Sequence, residues 1–558
     1  MKTFSTITYH GTVSEEPEII EENVIELNQV GIYLKPSDLL IWSMWMCFNK
    51  NITYLCLDSN VPLYRLSNMI TETGIDTCIT SSKYKDKIPG IEKYILIDNY
   101  DDLKKLAIYH GSSENAYVIF TSGTTGQPKG IQISRESVLL FIEAFSKTIG
   151  LQEKEKILCS TSCAFDIFFV ESILALYQDM DIVVADEIEK NTPREICRLL
   201  QEENIDVLQI TPSRMQGIIT YDESLKSFDK LKTIMVGGER FPYNLLKKLQ
   251  ERTSAQIYNL YGPAETTIWA TCTNLTKEKE VHIGHVLPFY KIYIVDNELK
   301  MIVGDGEGQI AIGGPCIAKG YLNRPNLSME KFVELKNTGE QVYLTGDIAK
   351  RGRGDKIYFL GRKDLQVKIR GNRVEIEEVE NVLQSIEGVG QVLVSKEDTE
   401  YGEKLIAFCH EQNKLNYEFL KEELKKQLPN YMIPQEFIDV KEFPITTNGK
   451  VSREKLLEDY HKRKLALNEI QLVYTNVIEK EVIEVILDNV ERENISMISR
   501  ESRLVDLGIN SLLYINLIAV LEEKYNITFD NEMLIIGEIA YVGQIVDYIL
   551  ENRVNQDK

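Results

Sequence analysis

Between residue 25 and about residue 360, short β-rich runs alternate with amphipathic stretches, and this rhythm constrains the fold more than any other feature. Ile182–Ala185, Val207–Ile210, Thr233–Val236 and Ile292–Val295 are short and mostly apolar, whereas Pro193–Glu203 and Tyr243–Arg252 repeat their apolar residues at helical spacing. Strands that are apolar on both faces must be covered on both, and a helix between two strands lets the second run parallel to the first. The expected fold is α/β and multidomain, with a large core of βα layers around mostly parallel sheet. From about 361 to 460 the character changes: GRKDLQVKIRGNRV leads into the acidic helix signal EIEEVENVLQSI and the proline-punctuated QLPNYMIPQEF. That is the size of a small α+β domain. Beyond a charged connector, EKLLEDYHKRKLALNE, residues 471–558 carry only helical periodicity and the loop VDLGINSLL.

At 558 residues the chain is too long for a single core. Its 63 basic and 85 acidic side chains leave a net charge of −22, which disfavours nucleic acid and anionic membranes as partners. Residues 471–558 hold seven basic and sixteen acidic side chains, which suits a small helical module that docks on basic surfaces. The early apolar run Leu39–Phe48 is about half the length of a membrane span and reads as a buried helix. The first twenty residues turn acidic where an export signal needs its apolar stretch. Nine scattered cysteines with no CxxC pair fit neither a disulfide framework nor a zinc cluster. A cytoplasmic location is expected.

The strongest local signal is YVIFTSGTTGQPKG, from Tyr117 to Gly130. A β-run feeds a loop of hydroxyls and glycines (Thr121, Ser122, Gly123, Thr124, Thr125, Gly126) that ends at Lys129, chemistry suited to wrapping donors and one ammonium around polyphosphate oxygens. Gly130 after the lysine rules out a Walker loop. Downstream come Gly237-Gly238-Glu239, YNLYGPAETT, YLTGD, GRKDLQVKIRG and TNGKVSR.

In this order the motifs resemble the core motifs of the adenylate-forming enzymes, specifically adenylation domains of nonribosomal peptide synthetases, from about residue 50 to 455. The tail resembles a peptidyl carrier domain, with DLGINSL as the phosphopantetheine attachment site. The resemblance implies an adenylation core over 1–361, abridged at its N-terminal end, a C-terminal subdomain over 362–460, a linker over 461–474 and a carrier over 475–558. It implies ATP, Mg²⁺ and 4′-phosphopantetheine as cofactors.

Residue by residue, Lys129 and the Thr121–Thr125 hydroxyls become the expected pyrophosphate clamp, and Glu265 a holder of Mg²⁺, a hard cation that favours carboxylate oxygen. Asp347 offers two acceptor oxygens to the ribose and Arg362 reaches the same sugar. Tyr261 matches the residue that stacks on adenine, Asn259 the one that reads its amino edge, and Gly237, Gly238 and Glu239 complete the nucleotide set. Lys450, on the NGK hairpin, is the expected catalytic ammonium of the first half-reaction. Asp364 is the expected hinge, and Gly371 is expected to line the pantetheine path. Ser511 opens an apolar-periodic run, so its hydroxyl is expected at a helix N-terminus, ready to carry the phosphodiester.

Asp166 stands where amino-acid-activating members keep an aspartate for the substrate's α-ammonium. The remaining pocket positions map to Ile167, Val170, Gln209, Met235, Gly237, Leu260, Ile268 and Trp269, a bulky set similar to glycine-activating pockets. The expected activity is ATP-dependent activation of a small amino acid, glycine first and alanine next, and its loading on Ser511. Two alternatives are an acyl or aryl acid ligase and a carrier scaffold that no longer catalyses. HHxxxDG and GxSxG are absent, so condensation or tailoring enzymes in trans are expected partners, together with a phosphopantetheinyl transferase. A compressed first subdomain is expected to expose Trp42 and Trp45, a surface that a small helper protein would cover.

Overall fold

The computed structural model describes residues 7–9, 12–14, 25–122, 128–222, 224–352, 354, 356–363, 366–369, 371–386, 389, 391–399, 402–410, 416–440, 443–444, 453–466, 471–472, 477–490, 497–509, 511–525, 527–530 and 541–556. Two sheets dominate the large core. The larger runs in the order His285–Val286, Thr271–Asn274, Gln256–Tyr261, Thr233–Gly237, Val207–Ile210, Lys156–Cys159, Asp181–Val184, Ile7–Tyr9, Thr12–Ser14. Its central strands are parallel, and the pairs at both edges are antiparallel. The second sheet places Gln29–Tyr33 between Thr53–Cys56 and Thr77–Thr80, all parallel, and ends in the antiparallel pair Asn115–Thr121 with Lys129–Ser134. The main hydrophobic core lies between these sheets, and the helices Pro193–Glu202, Pro212–Tyr221 and Tyr243–Arg252 cover the outer face of the larger one. The βα rhythm thus produces the expected layers, because each central strand is buried on both faces.

The helix Asp38–Asn49 begins where Ser37 accepts from the Leu40 amide, and Leu40 to Phe48 are all buried. Trp42 and Trp45 are 0 % and 5 % exposed, which corrects the expectation that they form an uncovered patch. A helix that is apolar all round belongs inside, and here Phe48 meets Phe169 edge to face beneath the sheet. The first subdomain closes over its own tryptophans.

An antiparallel five-stranded sheet, which includes Gln341–Arg351 and Ile357–Arg362, leads out of the core. A hairpin of Gln366–Ile369 with Asn372–Glu375 follows, then the helix Ile376–Gln384 and a three-stranded sheet. The helix Arg453–Ala466 runs across residue 460, where the small domain was expected to end. The last region holds Val477–Asn489, Ser511–Tyr525 and Val542–Gln556 around their own core, with one short strand pair that helical periodicity did not announce. Among the described residues no helix is long and apolar enough to cross a membrane.

Two contacts fix how the units sit. Arg65 of the first subdomain donates to Glu378 at 2.6 Å, both buried, and so ties the Leu63–Thr73 helix to Ile376–Gln384. Ser511–Tyr525 packs beside Pro212–Tyr221, with Arg194 Nη1 3.1 Å from Glu522 Oε1.

Candidate active site

The site lies at the C-terminal ends of the parallel strands, where successive βα connections part and leave a crevice. Val207–Ile210 delivers Gln209 and then Thr211, Thr233–Gly237 delivers Met235 and Gly237, and Gln256–Tyr261 delivers Asn259, Leu260 and Tyr261. Expected residues far apart in sequence meet here because adjacent strands are in register: Gln209 opposite Met235, Val236 opposite Asn259, Gly237 opposite Leu260.

At one end of the crevice Asp347 binds both of its neighbours. Tyr261 Oη donates to Asp347 Oδ2 at 2.6 Å and Arg362 Nη1 to Oδ1 at 2.6 Å, while Arg362 Nη2 reaches the Thr345 carbonyl. Burial, with the Asp347 carboxylate beside it, pushes the Tyr261 phenol well above its ordinary value. Asn259 Nδ2 donates to the His282 carbonyl at 2.9 Å, which fixes the orientation of its amide. Gly238 has a left-handed φ of 88° beside Thr211, and Glu239 accepts from the Ser213 amide and hydroxyl at the start of the Pro212–Tyr221 helix.

The middle of the crevice is filled. The Gln209 amide donates to the Ile167 carbonyl and to Glu171 Oε1, both at 2.9 Å, and its oxygen accepts from Trp269 Nε1 at 3.2 Å. Trp269 lies against Gly237 so closely that a Cβ there would stand 2.7 Å from Cη2. Val170, Met235, Leu260 and Ile268 are buried around it, and Ile167 is partly buried at the edge. Asp166 lies partly buried beside Ile167, and desolvation pushes its carboxyl up to about 7. Glu171, which sequence reasoning missed, braces this wall by accepting from the Ser160 and Thr161 amides and the Thr161 hydroxyl.

At the other end Glu265 is 0 % exposed. Arg373 Nη1 donates to its two oxygens at 2.8 and 2.9 Å, Tyr321 Oη donates to Oε1 at 2.7 Å, and Lys129 Nζ lies 3.9 Å away. Burial raises its carboxyl, but Arg373 and Lys129 outweigh that and hold it at about 2. Burial and the Arg373 guanidinium bring Lys129 down to about 8, against the pull of Glu265 and Glu375. Ser122 Oγ donates to the Arg373 carbonyl at 2.7 Å, and Thr121 Oγ1 is buried with no partner among the described residues. A buried, ionised carboxylate is a suitable ligand for a hard cation, so Glu265 fits Mg²⁺ once Arg373 withdraws.

The hairpin that carries Arg373 also brings Gly371 to Thr211. Gly371 has φ of 80°, and a Cβ on it would stand 2.6 Å from Thr211 Cγ2, so only glycine suits the position. Thr211 Oγ1 is buried without a partner among the described residues, a group fit to meet a polar amide arm. Lys368 enters on the same hairpin; burial holds its ammonium below the ordinary value, against the pull of Asp347. Arg373 and Glu375 were legible as one face of a period-two hairpin directly after the quoted GRKDLQVKIRG motif. Gly123, Thr124, Thr125, Gly126, Asp364 and Lys450 lie outside the described residues. Ser511 begins its helix, preceded by Gly508 at φ of 80°.

Residues 21–322 match the AMP-binding enzyme family, 378–450 the AMP-binding enzyme C-terminal domain and 480–549 the phosphopantetheine attachment site. Gramicidin S synthase 2 of Aneurinibacillus migulanus is 29% identical over 549 residues, which is 96% of this chain and 12% of that protein. Bacitracin synthase 3 of Bacillus licheniformis is 32% identical over 77% of this chain and 7% of its own length. The chain thus spans a small part of the curated relatives it matches. A solved holo nonribosomal peptide synthetase protein containing adenylation and PCP domains, bound to a vinylsulfonamide inhibitor, shares the fold at TM-score 0.76 and 19% identity, over 94% of this chain and 88% of that one. A holo four-domain nonribosomal peptide synthetase bound to AMP and glycine is 25% identical at TM-score 0.56, over 95% of this chain and 39% of that one. With three matches in this order, the first spanning more than half of its length, the chain belongs to the AMP-binding enzyme family, with that family's C-terminal domain and a phosphopantetheine attachment domain following on the same chain.

Proposed function

We propose that the chain activates glycine as glycyl-AMP and loads it on its own carrier at Ser511, for use by separate condensation or tailoring enzymes. The observation that carries the choice of substrate is the Trp269 indole, seated on Gly237 and bonded to Gln209, which fills the middle of the crevice with a bulky side chain and so favours the smallest amino acids. A filled pocket excludes larger amino acids by clash, whereas removing one methylene from a ligand costs only ~1–3 kcal/mol. The related four-domain synthetase bound to AMP and glycine supports the same reading. Alanine is the next candidate.

In this reading Asp166 pairs with the substrate ammonium and holds the carboxylate for attack on the α-phosphorus. Tyr261, Asn259, Asp347 and Arg362 bind and orient the nucleoside. Lys450 bridges substrate and nucleotide, and Lys129 with the Thr121–Gly126 loop takes the departing pyrophosphate. Mg²⁺, held through Glu265, would supply charge neutralisation on the phosphates. Phosphopantetheine, held on Ser511, would supply the thiol that accepts the glycyl group. Gly371 and Thr211 line its path, and Asp364 is the hinge that lets the hairpin approach.

The deciding experiment is intact-protein mass spectrometry of the holo chain after incubation with ATP and single amino acids. Glycine alone should add its residue mass to the carrier. Stable loading of leucine or phenylalanine, or of an aryl acid, would sink the glycine reading, and Trp269→Ala should admit a larger amino acid.

A further inference from the structure

The 366–375 hairpin brings one cation and one anion into the part of the crevice assigned to metal and pyrophosphate. Arg373 sits on Glu265 at 2.8 and 2.9 Å, and Glu375 Oε1 lies 3.7 Å from Lys129 Nζ. The Ser122 hydroxyl, a donor of the phosphate loop, is spent on the Arg373 carbonyl. Arg373 and Glu375 also face each other, Nε to Oε1 at 3.7 Å, so two cations and two anions form one compact network. Glu265 and Lys129 are almost wholly buried, at 0% and 4% side-chain exposure, so neither is offered to solvent as an alternative partner.

We propose that the hairpin carries its own substitutes for the leaving ligands, with Arg373 taking the carboxylate that the metal needs and Glu375 the ammonium that pyrophosphate needs. Hairpin entry and magnesium pyrophosphate therefore exclude one another. A divalent cation on Glu265 would stand beside the guanidinium with like charge, and a phosphate on Lys129 would stand beside the Glu375 carboxylate. Once both ligands depart, Glu265 and Lys129 keep only the Tyr321 hydroxyl and each other, 3.9 Å apart, until the hairpin adds a closer guanidinium and a second carboxylate, and this gives loading a direction. Arg373 is a positioning residue, since it acts through Glu265 and touches no reacting atom. The inference rests on the adenylation and loading reading above.

The test is hydrogen exchange of the full-length holo chain, followed by mass spectrometry, with magnesium pyrophosphate, magnesium alone or pyrophosphate alone as probes. Magnesium pyrophosphate should speed exchange of amides 366–375 by about tenfold, with the Val207–Ile210 strand unchanged and each single component giving a smaller effect. Arg373→Met should raise exchange of the hairpin without any probe and lower the ratio of loading to ATP–pyrophosphate exchange by about tenfold, and Arg373→Lys should recover most of it. A hairpin insensitive to magnesium pyrophosphate, or Arg373→Met with the wild-type ratio, overturns the proposal. If the wild type shows no amino-acid-dependent ATP–pyrophosphate exchange, the functional reading itself fails, which the same assay distinguishes.

Discussion

The two ends of the crevice are built differently. At the nucleoside end, Tyr261 comes from the larger sheet and Asp347 and Arg362 from paired strands of the five-stranded sheet, and Asp347 bonds both at 2.6 Å with no residue of the 366–375 hairpin in those bonds. At the phosphate end, Glu265, Lys129 and Ser122 are completed only by Arg373 and Glu375, which arrive on the hairpin from across the chain. A preformed end binds the same group throughout a reaction, and an end shared between two units exchanges partners when the units move. In the proposed reaction the nucleoside would stay in place while the phosphate end changes occupants.

The largest effect separating the two half-reactions is expected for Ser511→Ala. Loading should vanish, with no phosphopantetheine mass added, while ATP–pyrophosphate exchange persists; residual loading would assign the arm elsewhere. Next comes Arg65→Met, which takes the Arg65 guanidinium from the buried Glu378 carboxylate only while the small subdomain is docked as described. Breaking such a pair costs about 3–5 kcal/mol, so loading should fall far more than ATP–pyrophosphate exchange, and an equal loss in both would mean that Arg65 serves the core alone.

Asp347→Asn tests the preformed end. It leaves Arg362 and Tyr261 without their charged acceptor. A cost of about 2 kcal/mol should appear as a roughly thirtyfold rise in the KM for ATP, carried equally into both half-reactions. The smallest effect is titration of Asp166. Because burial places its carboxyl at about 7, the charged partner of the substrate ammonium is lost as pH falls through that value. The KM for the amino acid should rise about tenfold per pH unit below the pKa and level off above it, and a flat profile from pH 5.5 to 8 would remove Asp166 from that role.

Much of this was legible in the residues. Strand and helix alternation led to the parallel layers, since the pattern of apolar residues follows from which faces are covered. Tyr243–Arg252 and Val207–Ile210 fall where the spacing put them. Tyr261, Asp347 and Arg362 were named from separate motifs, and the fold brings them together: Tyr261 ends its strand in the larger sheet, and Asp347 and Arg362 pair across neighbouring strands of the five-stranded one. The error over Trp42 and Trp45 came from weighing the shortness of the region above the pattern of its helix, whose apolar residues run all round.

The sequence by itself determined which chemistry is present: a phosphate loop closed by Lys129, a carboxylate in YGPAETT, a glycine in the hairpin and a serine that opens a helix. Only the tertiary structure decided which of these groups share a charge. Glu265 and Arg373 are 108 residues apart and on different units, so no local pattern couples them, and their pairing exists only while the hairpin lies in the crevice. Local order follows from periodicity and turn chemistry, which neighbouring residues carry, whereas a buried ion pair between mobile units follows from desolvation and docking, which only the assembled chain supplies.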